Sequence, residues 1–204
     1  VSGEINHFTK FAAMAVEKTK EEKEAETVPV LAPVINLNDI KGHWAQAQIE
    51  KLVAAGAISG YPGSTFKPDN TITRAEFATV LVKAFKLEAK NGKVFKDTSN
   101  HWAKDAIATA AAHSIVSGYN ADTFAPDEFI TREQMAVMIS KAAKLTAIEG
   151  SQNFSDTQQV SEWAQDAVNK ASGHKIISGY PDNSFRPKAN ASRAEAVTVI
   201  AKAS

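Results

Sequence analysis

The chain has no cysteine. Disulfide frameworks and thiolate metal sites are therefore excluded, while the compartment stays open, because an exported protein can do without cysteine. Neither sign of charge is in excess: 23 basic and 23 acidic residues give a formal net charge of zero. A general nucleic-acid binder would carry a basic face and a membrane-surface anchor a polybasic one, so neither nucleic acid nor membrane is expected as a partner. No apolar run reaches the roughly 18 residues of a membrane span. There is no G-x-S-x-G, no H-E-x-x-H and no phosphate-cradling glycine loop, so no catalytic signature stands out. His43 and His101 recur, but Glu162 takes that place in the third unit and no ligand pattern surrounds them. No metal site and no cofactor are assigned. The chain begins at Val1 with no methionine, signal peptide or lipid motif, which reads as a piece of a longer protein.

What is present is repetition. Ile58-Ser59-Gly60-Tyr61, then Phe66, Pro68 and Thr73-Arg74-Ala75-Glu76, returns as Val116-Ser117-Gly118-Tyr119, Phe124, Pro126 and Thr131-Arg132-Glu133-Gln134. It returns again as Ile177-Ser178-Gly179-Tyr180, Phe185, Pro187 and Ser192-Arg193-Ala194-Glu195. Asp39, Asp97 and Asp156 open the units, at spacings of 58 and 59 residues. A fixed period of this size marks a repeat architecture, in which no unit buries its apolar face alone. The units are placed at 37–92, 93–150 and 151–204, forming one composite domain. Residues 1–16 read as the remnant of an upstream extracellular module. Residues 17–36 read as a charged, proline-containing linker, whose Pro29 and Pro33 favour extended backbone.

Each unit reads as helix, long loop, helix. The first helix is expected over 43–55, ended by Gly56, with Trp44, Ala45, Ile49, Leu52 and Val53 as its apolar stripe. Trp102, Ala106, Ile107, Ala110 and Ala111 form the second stripe, and Trp163, Ala167, Val168 and Ala171 the third. Gly173 is placed with Gly56 at a left-handed helix end, and His113 stands there in the middle unit. The second helix opens on a capping box, S/T-x-x-E/Q, in all three units. Behind it Phe77, Val80, Leu81 and Ala84 lie on one face, as do Met135, Met138, Ile139 and Ala142, and Ala196, Val199, Ile200 and Ala203. Such one-faced helices need one another. The fold expected is all-α: three helix-loop-helix repeats in a pseudo-threefold, trimer-like bundle, preceded by an extended segment.

These motifs resemble the S-layer homology domain family over residues 37–204. The residues that carry the resemblance are Asp39, His43-Trp44-Ala45, Ile58-Ser59-Gly60-Tyr61, Phe66-Lys67-Pro68 and Ile72-Thr73-Arg74-Ala75-Glu76, in three copies in register. The resemblance implies a three-pronged fold with grooves between neighbouring prongs. It implies an exported protein held non-covalently at the cell wall or S-layer of a Gram-positive bacterium. The partner so implied is a secondary cell-wall polysaccharide bearing ketal-pyruvylated N-acetylmannosamine, whose carboxylate is bound by the box arginine. Self-contact in a surface lattice without sugar binding is the alternative, and an enzyme acting on wall polymer lacks a carboxylate pair or nucleophile to support it.

Arg74, Arg132 and Arg193 sit just inside helix N-termini, where a cation opposes the helix dipole by a few tenths of a kcal/mol. Their recurrence points to an anion held between guanidinium and helix end; the alternatives are a structural pair with an aspartate such as Asp69, or plain exposure. Glu76 and Glu195 are accounted for by capping and could also face a sugar hydroxyl. Glu133-Gln134 makes the middle box different. Trp44, Trp102 and Trp163 either stack on a sugar ring or pack in the core with the indole N–H at a groove. Tyr61, Tyr119 and Tyr180 either meet the ligand or close the loop on the core. Gly60, Gly118 and Gly179 either allow close backbone approach to a ligand or supply positive φ. Asp39, Asp97 and Asp156 are carried as further sugar candidates beside their capping or turn role.

Overall fold

Three sequence units give three pairs of helices. The structure is a computed structural model and describes residues 36–148, 150 and 152–204. The expected upstream remnant and all but the last residue of the linker lie outside the described residues. The helices are α1 (Gln46–Ala54), α2 (Arg74–Ala84), α3 (Lys104–Ala112), α4 (Arg132–Ala142), α5 (Glu162–Gly173) and α6 (Arg193–Ala203). No helix is long and apolar enough to cross a membrane among the described residues.

The second helix of each unit starts where the capping box places it. Thr73, Thr131 and Ser192 accept the amide three residues on at 3.2, 3.3 and 3.1 Å. Glu76, Gln134 and Glu195 reach back to accept the cap's own amide at 2.9, 3.2 and 2.8 Å. Both orphan donors at each helix start are thus satisfied, which is worth about 1 kcal/mol per cap. The first helix of the first unit is shorter than expected at its start, whereas α5 begins at Glu162 and includes Trp163. α1 begins at Gln46 rather than His43, and Trp44 lies in the turn before it.

Those first helices end in one motif three times. The amides of Ala57, Ile115 and Ile176 donate to the carbonyls of Leu52, Ala110 and Ala171, each at 2.9 Å. The residues one step earlier, Gly56, Ser114 and Lys175, hold the left-handed conformation at φ of 69, 59 and 57°. Gly173 was expected in that role but lies inside α5. His113 is the residue before the left-handed one, and its ring Nε2 donates to the Glu88 carbonyl at 2.9 Å.

The units join in a closed cycle. The Ile72 amide donates to the Ala191 carbonyl at 3.1 Å, Ala191 to Ile130 at 2.9 Å, and Ile130 back to Ile72 at 3.1 Å. Around this ring, α2, α4 and α6 each touch the other two. Their apolar faces fill the centre: Phe77, Leu81, Met135, Ile139, Ala196 and Ile200 are wholly buried. The first helix of each unit packs on the second helix of the preceding one, α3 on α2, α5 on α4 and α1 on α6. The pairs that bury apolar surface are therefore formed between units, not within them.

The long loop is held to its own unit by the opening aspartate. Asp39 accepts the amides of Phe66 and Lys67, each at 2.7 Å. Asp97 accepts those of Phe124 and Ala125, the latter at 2.7 Å. Asp156 accepts those of Phe185 and Arg186, each at 2.7 Å. Lys67, Ala125 and Arg186 have φ of 57, 58 and 57°, which costs a side-chain-bearing residue of the order of 1–2 kcal/mol. The carboxylate fixes that strained turn and so drives the neighbouring phenylalanine into the core, where Phe66, Phe124 and Phe185 are fully buried. The three aspartates are thus clamps on loop backbone rather than caps of the first helix.

Candidate functional site

The box arginines are buried, not exposed: Arg74, Arg132 and Arg193 retain 5, 4 and 4% of their surface. None pairs with an aspartate among the described residues. Asp69 instead takes the His43 ring at 3.3 Å, and Asp127 takes His101 at 3.2 Å. Each arginine leaves the start of its own helix and enters the loop of the next unit. Arg74 Nε donates to the Phe124 carbonyl at 2.9 Å, Arg132 Nε to Phe185 at 2.7 Å, and Arg193 Nε to Phe66 at 3.0 Å. Its guanidinium also lies against two aromatic rings of that loop. Arg74 sits 4.7 and 4.6 Å from the Tyr119 and Phe124 ring centres. Arg132 does the same with Tyr180 and Phe185, and Arg193 with Tyr61 and Phe66. A desolvated cation–π contact is worth about 2 kcal/mol. The recurring arginine therefore has a structural use, as a strut from one unit into the next.

What remains of each guanidinium differs between units. Arg132 Nη1 pairs with Glu195 Oε1 at 2.5 Å, and Nη2 donates to the Ser178 carbonyl at 3.1 Å. Arg193 is held more loosely, with Glu76 Oε1 at 3.4 Å and the Ser59 carbonyl at 3.3 Å. Gln134 occupies the corresponding place beside Arg74, and its amide Nε2 donates to the Tyr119 hydroxyl at 3.0 Å. Arg74 has no carboxylate within ion-pair distance among the described residues. Burial pulls its pKa below the ordinary arginine value, against the opposing influence of Tyr119, Glu128 and Asp97. The other departure in the middle box, Glu133, does not face this arginine. It is 3% exposed and accepts the Ser161 amide at 3.0 Å and Lys188 Nζ at 2.6 Å, closing the start of α5.

Two of the three guanidiniums, those of Arg74 and Arg132, line a groove. One, of 480 Å³, runs from Arg74 along Ser117, Gly118 and Tyr119 to Gln134 and Lys141 on α4, with Trp163 of the third unit on its far side. A second, of 680 Å³, runs from Arg132 along Ser178, Gly179 and Tyr180 to Glu195 and Lys202 on α6, with Trp44 of the first unit opposite. All three units contribute to each groove. Around Arg193 the same loop partners recur, and Trp102 lies in the turn just before α3, which packs on α2.

Trp44, Trp102 and Trp163 are 62, 65 and 58% exposed, so the core reading of these rings does not hold. Ala45, Ile49 and Leu52 carry the buried face instead. The tyrosines are half-buried or exposed; Tyr180 donates to Glu195 at 2.8 Å and Tyr119 to Glu128 at 3.0 Å. Gly60, Gly118 and Gly179 do not have positive φ. A β-carbon would lie 2.7, 2.4 and 2.8 Å from the carbonyl oxygens of Thr65, Thr123 and Ser184. These glycines are required by the crossing of two loop strands, which also leaves their backbone at the groove wall. Asp39, Asp97 and Asp156 line neither groove and spend their oxygens on the loop. Lys141 and Lys202 at the groove edges were not singled out from sequence. A lysine nine residues after every box arginine, Lys83, Lys141 and Lys202, was the available signal. No group of three or more metal-ligating side chains occurs among the described residues.

Three cyclically joined helix pairs, with a buried arginine and an exposed tryptophan at each groove, define a repeat module whose open surface lies at its unit junctions. The chain belongs to the S-layer homology domain family, whose model matches it at 36–78, 94–136 and 153–197. It is 38% identical over 152 residues to a cellulosome-anchoring protein of Acetivibrio thermocellus, covering 70% of this chain and 34% of that protein. It is 32% identical over 201 residues to an amylopullulanase of Thermoanaerobacterium thermosulfurigenes, covering 95% of this chain and 10% of the relative. It is 30% identical over 177 residues to the S-layer protein EA1 of Bacillus anthracis, covering 85% and 20%. The chain thus spans between a tenth and about a third of the length of these relatives. It is a cell-surface module of the S-layer type, and in relatives named for enzymes it matches only a small part of the protein.

Proposed function

We propose that the chain is a non-catalytic anchor that binds a pyruvylated secondary cell-wall polysaccharide, with ketal-pyruvylated N-acetylmannosamine as the unit recognised. The observation that carries this reading is the buried guanidinium on the wall of a groove with an exposed tryptophan opposite. A desolvated arginine offers a planar fork to a carboxylate, and its charge is screened little by solvent there. The indole face offers apolar surface to a pyranose ring, and the glycine backbone lets the sugar approach the loop closely. Several such grooves on one polymer raise avidity beyond that of a single contact. The names of relatives found in surface layers and in cellulosome anchoring support attachment at the cell surface as the role.

The test is calorimetric titration with purified wall polysaccharide before and after mild acid removal of the pyruvate ketal. Binding that disappears with the ketal supports both anchor and carboxylate contact. Binding that survives keeps the anchor and shifts the affinity to tryptophan, tyrosine and backbone. Binding to neither polymer, together with sugar-independent self-association, moves the function to lattice contact through the exposed tryptophans.

A further inference from the structure

The Arg74 and Arg132 grooves share a plan but not a charge, and the Arg74 groove differs in two independent ways. First, its buried cation has no carboxylate within ion-pair distance among the described residues, and Glu128 and Asp97 act on it only from farther off. Arg132 and Arg193 each face a glutamate of the following box, whereas Arg74 faces Gln134, and neither of its terminal nitrogens has a hydrogen-bond partner among the described residues. Second, the groove does not stop at Trp163. A further cavity of 330 Å³ adjoins it, sharing Val137, Lys141 and Trp163 and continuing to Lys144 and Lys170. Lys170 is engaged with Asp166 at 2.7 Å, while Lys141 and Lys144 have no ion-pair partner among the described residues. A buried arginine at one end and unpaired lysines at the other thus flank one exposed indole.

We propose that the Arg74 groove is the principal anion site of the chain and an extended one, taking one carboxylate-bearing sugar at Arg74 and the adjoining anionic unit of the same polymer beyond Trp163, against Lys141 and Lys144. This rests on the polysaccharide reading above and ranks its grooves. In the Arg132 groove Glu195 already neutralises the guanidinium and repels an incoming carboxylate. Arg193, with its looser Glu76 contact, stands between the two arginines in compensation.

The test uses the whole chain and two probes, the ketal-pyruvylated N-acetylmannosamine monosaccharide and the purified pyruvylated polysaccharide. Gln134→Glu puts a carboxylate beside Arg74. The capping box survives, since glutamate holds that position in the other two units. It is expected to weaken monosaccharide binding at least tenfold. Glu195→Gln makes the reverse change and is expected to strengthen binding or add a site to the titration. Lys144→Ala is expected to weaken polymer binding about fivefold and flatten its salt dependence, while the monosaccharide affinity moves less than twofold. Unaltered monosaccharide affinity in Gln134→Glu overturns the ranking. Unaltered polymer affinity and salt dependence in Lys144→Ala overturn the second subsite. Loss of binding by the unaltered chain would instead remove the polysaccharide reading itself, and this inference with it.

Discussion

The grooves of Arg74 and Arg132 are made of the same parts, and they solve different problems. In the Arg132 groove the strut is complete: one arginine holds the Phe185 and Ser178 carbonyls and closes an ion pair with Glu195. In the Arg74 groove a single amide-for-carboxylate exchange at Gln134 leaves the strut with only its Phe124 contact and the aromatic rings. The first arrangement favours the fold. The second leaves charge available to a ligand. The difference teaches that conservation of the arginine between units says little about its use; the residue facing it decides.

This contrast yields predictions on stability. Arg132→Ala strands Glu195 at a buried pair and should lose about 3–5 kcal/mol. Arg74→Ala leaves no carboxylate behind and should lose only about 1–3 kcal/mol. Urea denaturation of both variants checks the order, and equal losses would break the comparison. Gly118→Ala and Gly179→Ala force a β-carbon against loop backbone in one groove each, at 2.4 and 2.8 Å. Each should cost about 1–3 kcal/mol, Gly118→Ala the more, by the same measurement.

The aspartate clamps support both grooves alike, so Asp97→Asn and Asp156→Asn should destabilise by similar amounts, about 1 kcal/mol for each weakened hydrogen bond. The clamp of the first unit adds a pH signature. Burial acts to raise the Asp39 pKa, but the Phe66 and Lys67 amides outweigh it and hold the carboxyl below its ordinary value. Its stabilisation is therefore complete above the unfolded value of about 3.9 and is lost as pH falls through the lower folded value. Asp39→Asn should flatten the stability profile below about pH 4; an unchanged acid limb, read by denaturation at a series of pH values, would show that Asp39 does not contribute to it. The smallest effects on stability belong to Trp163→Ala and Trp44→Ala. With most of each ring exposed, melting should move by less than about 0.5 kcal/mol. Polysaccharide affinity should fall further for Trp163, which lines the groove of the arginine that has no direct carboxylate pair.

Much of the fold was legible because it is local and periodic. The capping boxes, the one-faced stripes of α2, α4 and α6, and the left-handed stop at Gly56 all depend on residues within a turn or two of one another. What the sequence did not disclose depends on distance. Asp39 meets Phe66 across a loop, and no spacing rule announces a carboxylate that clamps backbone so far ahead. Arg74 meets Tyr119 only because the units are joined cyclically, so burial of the arginines and their aromatic contacts were out of reach. Trp44 falls on the helical stripe by count, yet α1 begins two residues later and its turn swings the ring outward. The glycines were visible as a requirement, but the cause, a close crossing with Thr65, Thr123 or Ser184, was not. At Gln134 the departure from glutamate was plain, while its consequence needed the arginine of the preceding unit beside it.

The ring of amide bonds through Ile72, Ala191 and Ile130 has a consequence for how the protein comes to exist. An open stack of repeats can grow one unit at a time and survive the loss of an end. Here the last unit must return to the first, with Arg193 bonded to the Phe66 carbonyl across most of the described chain. Folding is then a single late event, delayed until the third unit is available, as expected where long-range closure precedes its reward. Deleting the third unit should leave the first two without stable helix rather than as a smaller module, which circular dichroism of the truncated chain would reveal.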